Sequence, residues 1–340
     1  MTWGIQWRQD ALISNEVPIY FTSSYQTLFA GSALPRVLEI SFGPQTWAFP
    51  LLQTDLGNGA GAEVHTAYGY GGVWPVDPFP EPIDLKVIQA FFRKEGVLSA
   101  FIRHSPFLAN QRLWTPESSE FNRTCYVRDL CADQDLDTFS RQVDQKLRWS
   151  INYARRQGLS VEFQPASRWC ERDVSNFYNI YLKLMEDKDT NTAYLFSEAF
   201  FFGHASFGDR CELAVIRDPL TMELIAGAFF LLDPTLGWAH YHLSASRREN
   251  LKSQPMELLL AEAAVRYGNQ KFRSLHLGGG HAADASDGLS RFKRKFASRE
   301  LPFHISKWIC DQERYTMARE RSAALPNPHM FLISDARGAQ

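Results

Sequence analysis

The sequence predicts a mixed α/β fold made of two similar halves. The chain has 340 residues, a length that suits one large or two medium domains rather than one small core. Periodicity predicts the order strands, helix, strand twice, and a long amphipathic helix lies between the two runs. We therefore predict a first domain over residues 1–157, ending in that helix, and a second over residues 158–340.

Composition excludes several classes of protein. Hydrophobic residues make up 45% and charged residues 22% of the chain, as in an ordinary globular protein, and 14% aromatic residues argue against disorder. The formal net charge of −2 leaves no global basic field, so a nucleic acid would need a local basic patch.

Cysteine usage and the N-terminal sequence predict a cytoplasmic location. The five cysteines form no C-x-x-C pair, which disfavours structural zinc and a disulfide framework. The N-terminus lacks a basic stretch followed by an apolar one, so we predict no signal peptide. No apolar run reaches the ~20 residues that span a bilayer, so any membrane contact is expected to be peripheral.

Alternation and turn residues place the elements of the first half. Gly43 and Pro44 separate two strand-like runs, and Gly96 ends a helical pattern. The predicted elements are a hairpin over 36–42 and 46–52, a helix over 83–94, and strands over 97–103 and 124–130.

A single long helix is predicted between the halves. Its apolar positions recur at three- or four-residue steps on one stripe, and Gly158 would end it. The stripe consists of Leu136, Phe139, Val143, Leu147, Ile151 and Ala154.

The second half repeats this order of elements without repeating the sequence. Two helices come first, then an antiparallel meander, a strong helix that begins near Pro255, a strand, a short helix and a last strand. They span 171–186, 197–207, 211–217, 223–232, 237–244, 254–268, 274–279, 287–296 and 302–310.

Three polar side chains alternate along the predicted strand WAHYHLS. His240, His242 and Ser244 share one face if this strand is regular, and buried polar groups there need hydrogen-bond partners. The pattern fits either an internally satisfied polar stripe or the floor of a cleft. A metal site is disfavoured, because His-x-His supplies only two ligands.

The stretch SLHLGGGHAADASDGLSRFKRKF joins three glycines to a cluster of cations. Gly278–Gly280 fits a tight turn or a loop whose amides face an anion, although the P-loop and dinucleotide patterns are both missing. Lys293 lies beside the apolar side of the short helix, which predicts partial desolvation. Arg294 and Lys295 are expected to be solvated.

The loop AYGYGG places two tyrosines between small residues. Tyr68 and Tyr70 fit a turn with packed rings. They fit equally a recognition loop whose stiff, hydroxyl-tipped rings contact a substrate.

Six motifs in order carry a resemblance to a known family. They are TAYGYGG, GVLSAFIRHSPFLAN, KLRWSINYARRQG, AHYHLSAS, LHLGGG and DGLSRFKRKF. From about Tyr68 to Tyr315 the chain resembles FemAB-type members of the GNAT acyltransferase superfamily, which include peptidoglycan bridge-forming transferases and acetyltransferase-like proteins of polysaccharide clusters. The resemblance implies two tandem GNAT-like domains, an acceptor cleft between them and a donor groove on the second. The coiled-coil arm of some relatives has no counterpart in the pattern.

The activity that the resemblance implies is acyl transfer to an amine. Lys293, at the position of the family's lysine in the F-K motif, is expected to stabilise negative charge on the donor or the tetrahedral intermediate. His240 and His242 would relay the proton of the amine, for which an unperturbed imidazole pKa near 6.5 is suitable. The residues implied to contact the acceptor are Tyr68, Tyr70 and Ser244.

The donor stays open between aminoacyl-tRNA and acyl-CoA. The segment SRRENLKSQPMELLL lacks the glycines of the pyrophosphate loop of CoA-using relatives, although cations there would grip phosphate at a helix N-terminus. No metal and no tightly bound cofactor are expected, and a non-catalytic binding module is a further alternative. The residues assigned to the donor are Arg247, Arg248, Lys252, Gly278, Gly279, Gly280 and Arg291.

Overall fold

The computed structural model describes residues 3–8, 17–75, 84–187, 195–281, 283–321 and 330–336. Its strands are β1 Trp3–Trp7, β2 Leu34–Phe42, β3 Gln45–Asp55, β4 Ala62–His65, β5 Val97–Arg103, β6 Glu120–Asp129, β7 Val161–Pro165, β8 Cys211–Arg217, β9 Leu224–Asp233, β10 Trp238–Ser246, β11 Ser274–Gly279 and β12 Arg299–Ile309. Its α-helices are α1 Ser23–Phe29, α2 Leu85–Lys94, α3 Leu136–Gln142, α4 Gln145–Arg156, α5 Glu171–Asp187, α6 Glu198–Gly203, α7 Pro255–Asn269, α8 Gly288–Arg294, α9 Gln312–Arg321 and α10 Ile333–Ala336.

The chain forms two compact units. Unit 1 comprises Met1–Arg123 together with Pro302–Gln340, and unit 2 comprises Thr124–Leu301. The chain returns to unit 1 because β12 pairs antiparallel with β5, from Ile305 opposite Arg103 to Ile309 opposite Ser99. The boundary predicted after residue 157 falls inside unit 2.

Unit 1 contains a mostly antiparallel sheet. Its strand order is β1-β2-β3-β4-β5-β12, and β4 and β5 form a parallel pair that α2 connects. Asp84 caps α2 by accepting a hydrogen bond from the backbone nitrogen of Lys86, and the predicted helix start at Ile83 lies outside the described residues. The core of this unit is aromatic, with Trp47, Phe49 and Phe92 all buried.

Unit 2 repeats this topology with a second parallel pair. Its order is β6-β11-β10-β9-β8-β7, and α7 connects the parallel strands β10 and β11. Most of the circumference of α7 is buried, because the helix lies between the sheet and the pair α3 and α4, and Glu262 and Arg266 lie on its partly exposed side. The predicted mixed α/β fold class is therefore confirmed.

The single long helix predicted between the halves is wrong. The structure has α3 and α4 instead, and Val143 between them is extended, with φ −102° and ψ 166°. Asp144 begins α4 because its carboxylate accepts a hydrogen bond of 2.8 Å from the backbone nitrogen of Leu147. The apolar stripe survives this break, since all six of its residues are buried in the core of unit 2.

In the part of the chain that the structure describes, no helix combines the length and the apolar character needed to cross a bilayer.

Candidate active site

A β-bulge at His242 divides β10. Tyr241 lies opposite Phe230 of β9, whereas Leu243 lies opposite the very next residue, Phe229, so that His242 is the extra residue. The bulge reverses the alternation of side chains in the rest of the strand. Ser244 consequently lies on the face of Tyr241, and the two side chains are hydrogen-bonded.

This bulge corrects one prediction from the sequence. Ser244 was expected on the same face as His240 and His242, but it lies on the opposite face, which is the face of the sheet that packs against α7. The two histidines remain together on the other face, where both His240 and His204 lower the pKa of His242. The polar face of this strand therefore consists of imidazoles.

A buried acid–base pair lies at the start of β10. His240 is 3% exposed, and its Nε2 lies 3.2 Å from Oδ2 of Asp233, the last residue of β9. The other oxygen, Oδ1 of Asp233, accepts a hydrogen bond from the Arg210 guanidinium. A carboxylate in this position fixes the orientation of the imidazole ring.

A second imidazole lies beside this pair. His276 of β11 is opposite His240, and the two ring centroids are 5.6 Å apart with the rings nearly perpendicular. Burial lowers the pKa of His276 well below its usual value, and His240, Lys293 and Arg299 lower it further. His276 is therefore neutral near pH 7.

Lys293 lies next to this cluster on α8. Only 8% of the residue is exposed, so the predicted desolvation extends to most of the side chain. Its Nζ donates a hydrogen bond of 2.7 Å to the carbonyl oxygen of Gly279 at the end of β11. Asp287 fixes the start of α8 by accepting from the backbone nitrogens of Leu289 and Ser290.

The three glycines serve the junction of β11 and α8. Gly278 has a φ of +75°, which favours glycine. A Cβ on Gly280 would lie 1.8 Å from Oγ of Ser290 and 2.6 Å from Oδ2 of Asp287. Because the Gly279 carbonyl faces Lys293, the loop is directed at least partly toward the protein's own cation.

His242 has a different environment from that of His240. Its ring centroid lies 5.6 Å from that of His204, which stacks on Phe229. Burial lowers the pKa of His242 well below its usual value, and the neighbouring histidines lower it further. The expectation of an unperturbed pKa is therefore wrong for His242, which is a weak base.

The parallel strands separate where these groups gather. The ladder between β10 and β11 runs only from Trp238 opposite Ser274 to His240 opposite His276. Beyond that pair β10 continues to Ser246 and β11 to Gly279. The facing edges of the two strands beyond His240 and His276 therefore offer main-chain amides and carbonyls beside the imidazoles and Lys293.

The cations assigned to the donor lie at the other end of β10. Arg247 follows the strand, about 20 Å from His240 along an extended chain. Its guanidinium donates to the Leu224 carbonyl and pairs with Glu223 at 3.2 Å. Arg248 and Lys252 are exposed on a 3₁₀ turn before α7, so the structure does not bring these three cations to the histidines.

A cavity of about 520 Å³ also lies at that end of β10. Three arginines line it, but Arg217 is already paired with Asp173 and Arg247 with Glu223. Two of the three cations that line the cavity are thus neutralised by carboxylates. Arg291, also assigned to the donor, is exposed on α8 and donates to the Ser286 carbonyl at 2.7 Å.

The two predicted acceptor tyrosines belong to unit 1. The backbone carbonyl of Tyr68 accepts a hydrogen bond of 2.7 Å from the Tyr25 hydroxyl, and its ring stacks on Phe29. The ring of Tyr70 packs edge-on against Tyr20 and Phe303. Both tyrosines are half-buried, so the loop is a turn with packed rings that still presents part of its surface.

The fold of this chain is similar to that of several solved structures. No protein-family model and no curated protein matches the sequence. Among solved structures, FemX is similar with a TM-score of 0.60 at 12% identity, over 86% of this chain and 93% of FemX. This chain has the fold of FemX.

Two further structures share the FemX fold with this chain. L-PGS from Bacillus licheniformis is similar with a TM-score of 0.54 at 14% identity, over 77% of this chain and 81% of L-PGS. The C-terminal domain of a protein named as a lysylphosphatidylglycerol synthetase from Agrobacterium fabrum gives 0.51 at 15% identity, over 76% and 80%. The resemblance drawn from the sequence motifs is confirmed at the level of fold.

Sequence reasoning missed three residues of this site in the FemX fold. The sequence patterns described above assign no role to Asp233, Arg210 or His276. His276 lies inside the motif LHLGGG, and a histidine between two core leucines, Leu275 and Leu277, is a signal that the sequence carries. The pairing of Asp233 with His240 needs the hairpin register, which the sequence leaves open.

Proposed function

We propose that this protein is an acyltransferase that moves an aminoacyl or other acyl group from an activated donor to an amine of a cell-envelope, sugar or peptide acceptor. The likeness to FemX supports this proposal, and the likeness to the domain named as part of a lysylphosphatidylglycerol synthetase supports an aminoacyl group, since that name contains a lysyl group. An acyl-CoA donor is the alternative within the same reaction class.

One observation carries the proposal. His240, His276 and Lys293 gather on one face of unit 2, where β10 and β11 separate. Lys293 lies 8% exposed, and its Nζ is 2.7 Å from the Gly279 carbonyl at the end of the strand that carries His276. A preorganised cation beside the reacting groups stabilises the negative charge that develops on a carbonyl oxygen during acyl transfer.

The reaction assigns a role to each of these groups. The neutral amine attacks the acyl carbon, and a C–N bond forms while the carbonyl oxygen becomes an oxyanion that Lys293 stabilises. His240 takes the proton from the attacking nitrogen and gives it to the leaving oxygen of an aminoacyl ester, or to the sulfur of a thioester, as that bond breaks. Positioning both substrates supplies much of the remaining acceleration.

The substrate-binding residues stay part of the proposal. Tyr68 and Tyr70 are proposed to contact the acceptor, and Arg247, Arg248 and Lys252 to hold phosphate groups of the donor. The segment before α7 has Gln254 in the left-handed conformation, with a φ of +59°, where a glycine loop would be expected for CoA. This feature favours the aminoacyl-tRNA donor over acyl-CoA.

The decisive experiment offers both donors to the purified protein. Labelled aminoacyl-tRNA and labelled acyl-CoA are each incubated with a panel of amine acceptors, and loss of the acyl group is followed with and without acceptor. Amine-dependent loss from one donor supports the proposal and identifies the donor class. If neither donor loses its acyl group while calorimetry detects binding of the acceptor, the protein is a binding module instead.

A matched pair of variants tests the role of the lysine. Lys293→Met keeps the apolar stem and removes the charge, so we expect turnover to fall about 100- to 1,000-fold. Lys295→Met, which removes a lysine that pairs with Glu257 at 3.3 Å, is expected to leave turnover within about threefold. Equal turnover of the two variants would remove Lys293 from the mechanism.

A further inference from the structure

The partners of Asp233 determine which nitrogen of His240 carries a proton. Asp233 is 2% exposed and ends β9, just before the turn into β10. Its Oδ1 accepts from Arg210 and its Oδ2 faces Nε2 of His240 at 3.2 Å. Each oxygen of the carboxylate therefore has its own partner.

Arg210 is held in place as well. Its Nε donates a hydrogen bond of 3.1 Å to the backbone carbonyl of Leu232, the residue before Asp233. A guanidinium has only donors, so the group that it contacts must accept. The Asp233 carboxylate therefore accepts on both sides, which makes Nε2 of His240 the N–H donor and leaves the lone pair on Nδ1.

We propose that Asp233, clamped by Arg210, is a positioning residue that keeps His240 as the Nε2–H tautomer, so that Nδ1 is the atom that takes the proton of the attacking amine. The inference rests on the proposed function for the identity of that amine. Once Nδ1 is protonated, the Asp233 carboxylate stabilises the imidazolium until the proton passes to the leaving group. Among the described residues, Arg210, His242 and His276 lie around the pair, and Lys293 and Arg299 act on His276.

Asp233→Asn gives a sharp test because Arg210 cannot accept a hydrogen bond. Arg210 would hold the carbonyl oxygen of the new amide, and the NH₂ group would then face His240. Nε2 must become an acceptor, so the proton moves to Nδ1. Nitrogen-15 NMR of histidine-labelled protein reads this directly, with Nε2–H expected in the unmodified protein and Nδ1–H in the variant.

Kinetics supply the second readout. For Asp233→Asn we expect kcat to fall about 100-fold or more, with KM within about threefold, because the wrong nitrogen is then basic. Asp129→Asn is the control, since it changes an ion-paired aspartate that is exposed and bonded to Arg299 at 2.9 Å. That control is expected to leave both the tautomer of His240 and kcat unchanged.

Each outcome decides. An Nδ1–H tautomer in the unmodified protein overturns the inference, even if the variant does not fold. A folded Asp233→Asn protein with the same tautomer or the same kcat also overturns it. A tautomer exchange in a protein that transfers no acyl group from either donor supports the positioning by Asp233 and contradicts the proposed function.

Discussion

Both units place a parallel strand pair at the same step of their topology, and they bury polar side chains there in different ways. In unit 1, Glu63 of β4 lies opposite Ser99 of β5, and both residues are fully buried. In unit 2, His240 of β10 lies opposite His276 of β11. The same element order thus carries a carboxylate in one unit and two imidazoles in the other.

The difference lies in what satisfies the buried groups. Glu63 accepts hydrogen bonds from the Ser99 hydroxyl at 2.8 Å and from the backbone nitrogens of Ile333 and Ser334 at 2.9 Å each. The main-chain donors at the start of α10 therefore hold Glu63 in a structural role. In unit 2 the partners of the imidazoles are ionisable side chains, which can exchange protons. We infer that unit 1 uses this position for stability and unit 2 for chemistry.

The largest expected effect is on turnover in unit 2. His240→Ala removes the proposed base, so we expect kcat to fall by about 1,000-fold, which corresponds to ~4 kcal/mol. The melting temperature is expected to change by only a few degrees. Steady-state kinetics and calorimetry on the same preparation measure both. If the variant unfolds, His240 is a structural residue, and the proposed difference between His240 and Glu63 is wrong.

The converse substitution in unit 1 should act on stability. Glu63→Ala leaves the buried donors of Ser99, Ile333 and Ser334 unsatisfied, so we expect the free energy of unfolding to fall by ~3 kcal/mol. Glu120→Ala, which removes an exposed carboxylate paired with Lys307 at 2.7 Å, should cost less than ~1 kcal/mol. Urea titration compares the two. Equal costs would show that the Glu63 bonds are not structural.

Acid should destabilise both units through buried histidines, among them His104 in unit 1 and His204 in unit 2. Burial lowers the pKa of His104 in unit 1 to about 3 and that of His204 in unit 2 to about 4. The unfolded chain therefore binds these protons first, and stability falls as the pH drops from about 6.5 towards those values.

Between pH 6.5 and 5 each of these histidines should cost about 2 kcal/mol of unfolding free energy. Urea unfolding at several pH values measures the slope. His204→Phe, which places a ring among Phe200 and Phe229, should flatten the slope by that amount, as should His104→Gln. An unchanged slope in both variants would mean that neither histidine is buried neutral.

The smallest expected effect comes from the residue that the bulge removes from the polar face. Ser244→Ala loses its hydrogen bond with Tyr241, so we expect a stability loss of about 1 kcal/mol and turnover within twofold. A loss of turnover comparable to that of His240→Ala would return Ser244 to the site.

Much of the fold could be predicted from periodicity. The helix predicted over 254–268 is α7, and the strand predicted over 274–279 is β11, because apolar runs with glycine or proline at their ends leave few alternatives. The partial desolvation of Lys293 could also be predicted, since it lies three residues before Phe296 and beside the apolar side of the short helix, and the structure buries it further, to 8% exposed.

The misses share a physical cause. The break at Val143 and the bulge at His242 both leave the hydrophobic pattern intact, so periodicity cannot detect them. Asp144 competes with a continuous helix through a cap whose free energy is about 1 kcal/mol. The pairing of Asp233 with His240 depends on a register that only the assembled sheet determines.

The extra residue in β10 changes which face of the sheet every later side chain of the strand occupies. Side chains up to Tyr241 follow one alternation between the two faces, and side chains from Leu243 to Ser246 follow the opposite alternation. Deleting His242 would remove the bulge and leave Leu243 to Ser246 on their present faces. A regular strand that kept His242 would instead turn Leu243 and Ala245 towards α7 and Ser244 and Ser246 away from it. Any alignment that matches this strand to a regular one by alternation alone will therefore assign half of its side chains to the wrong neighbours.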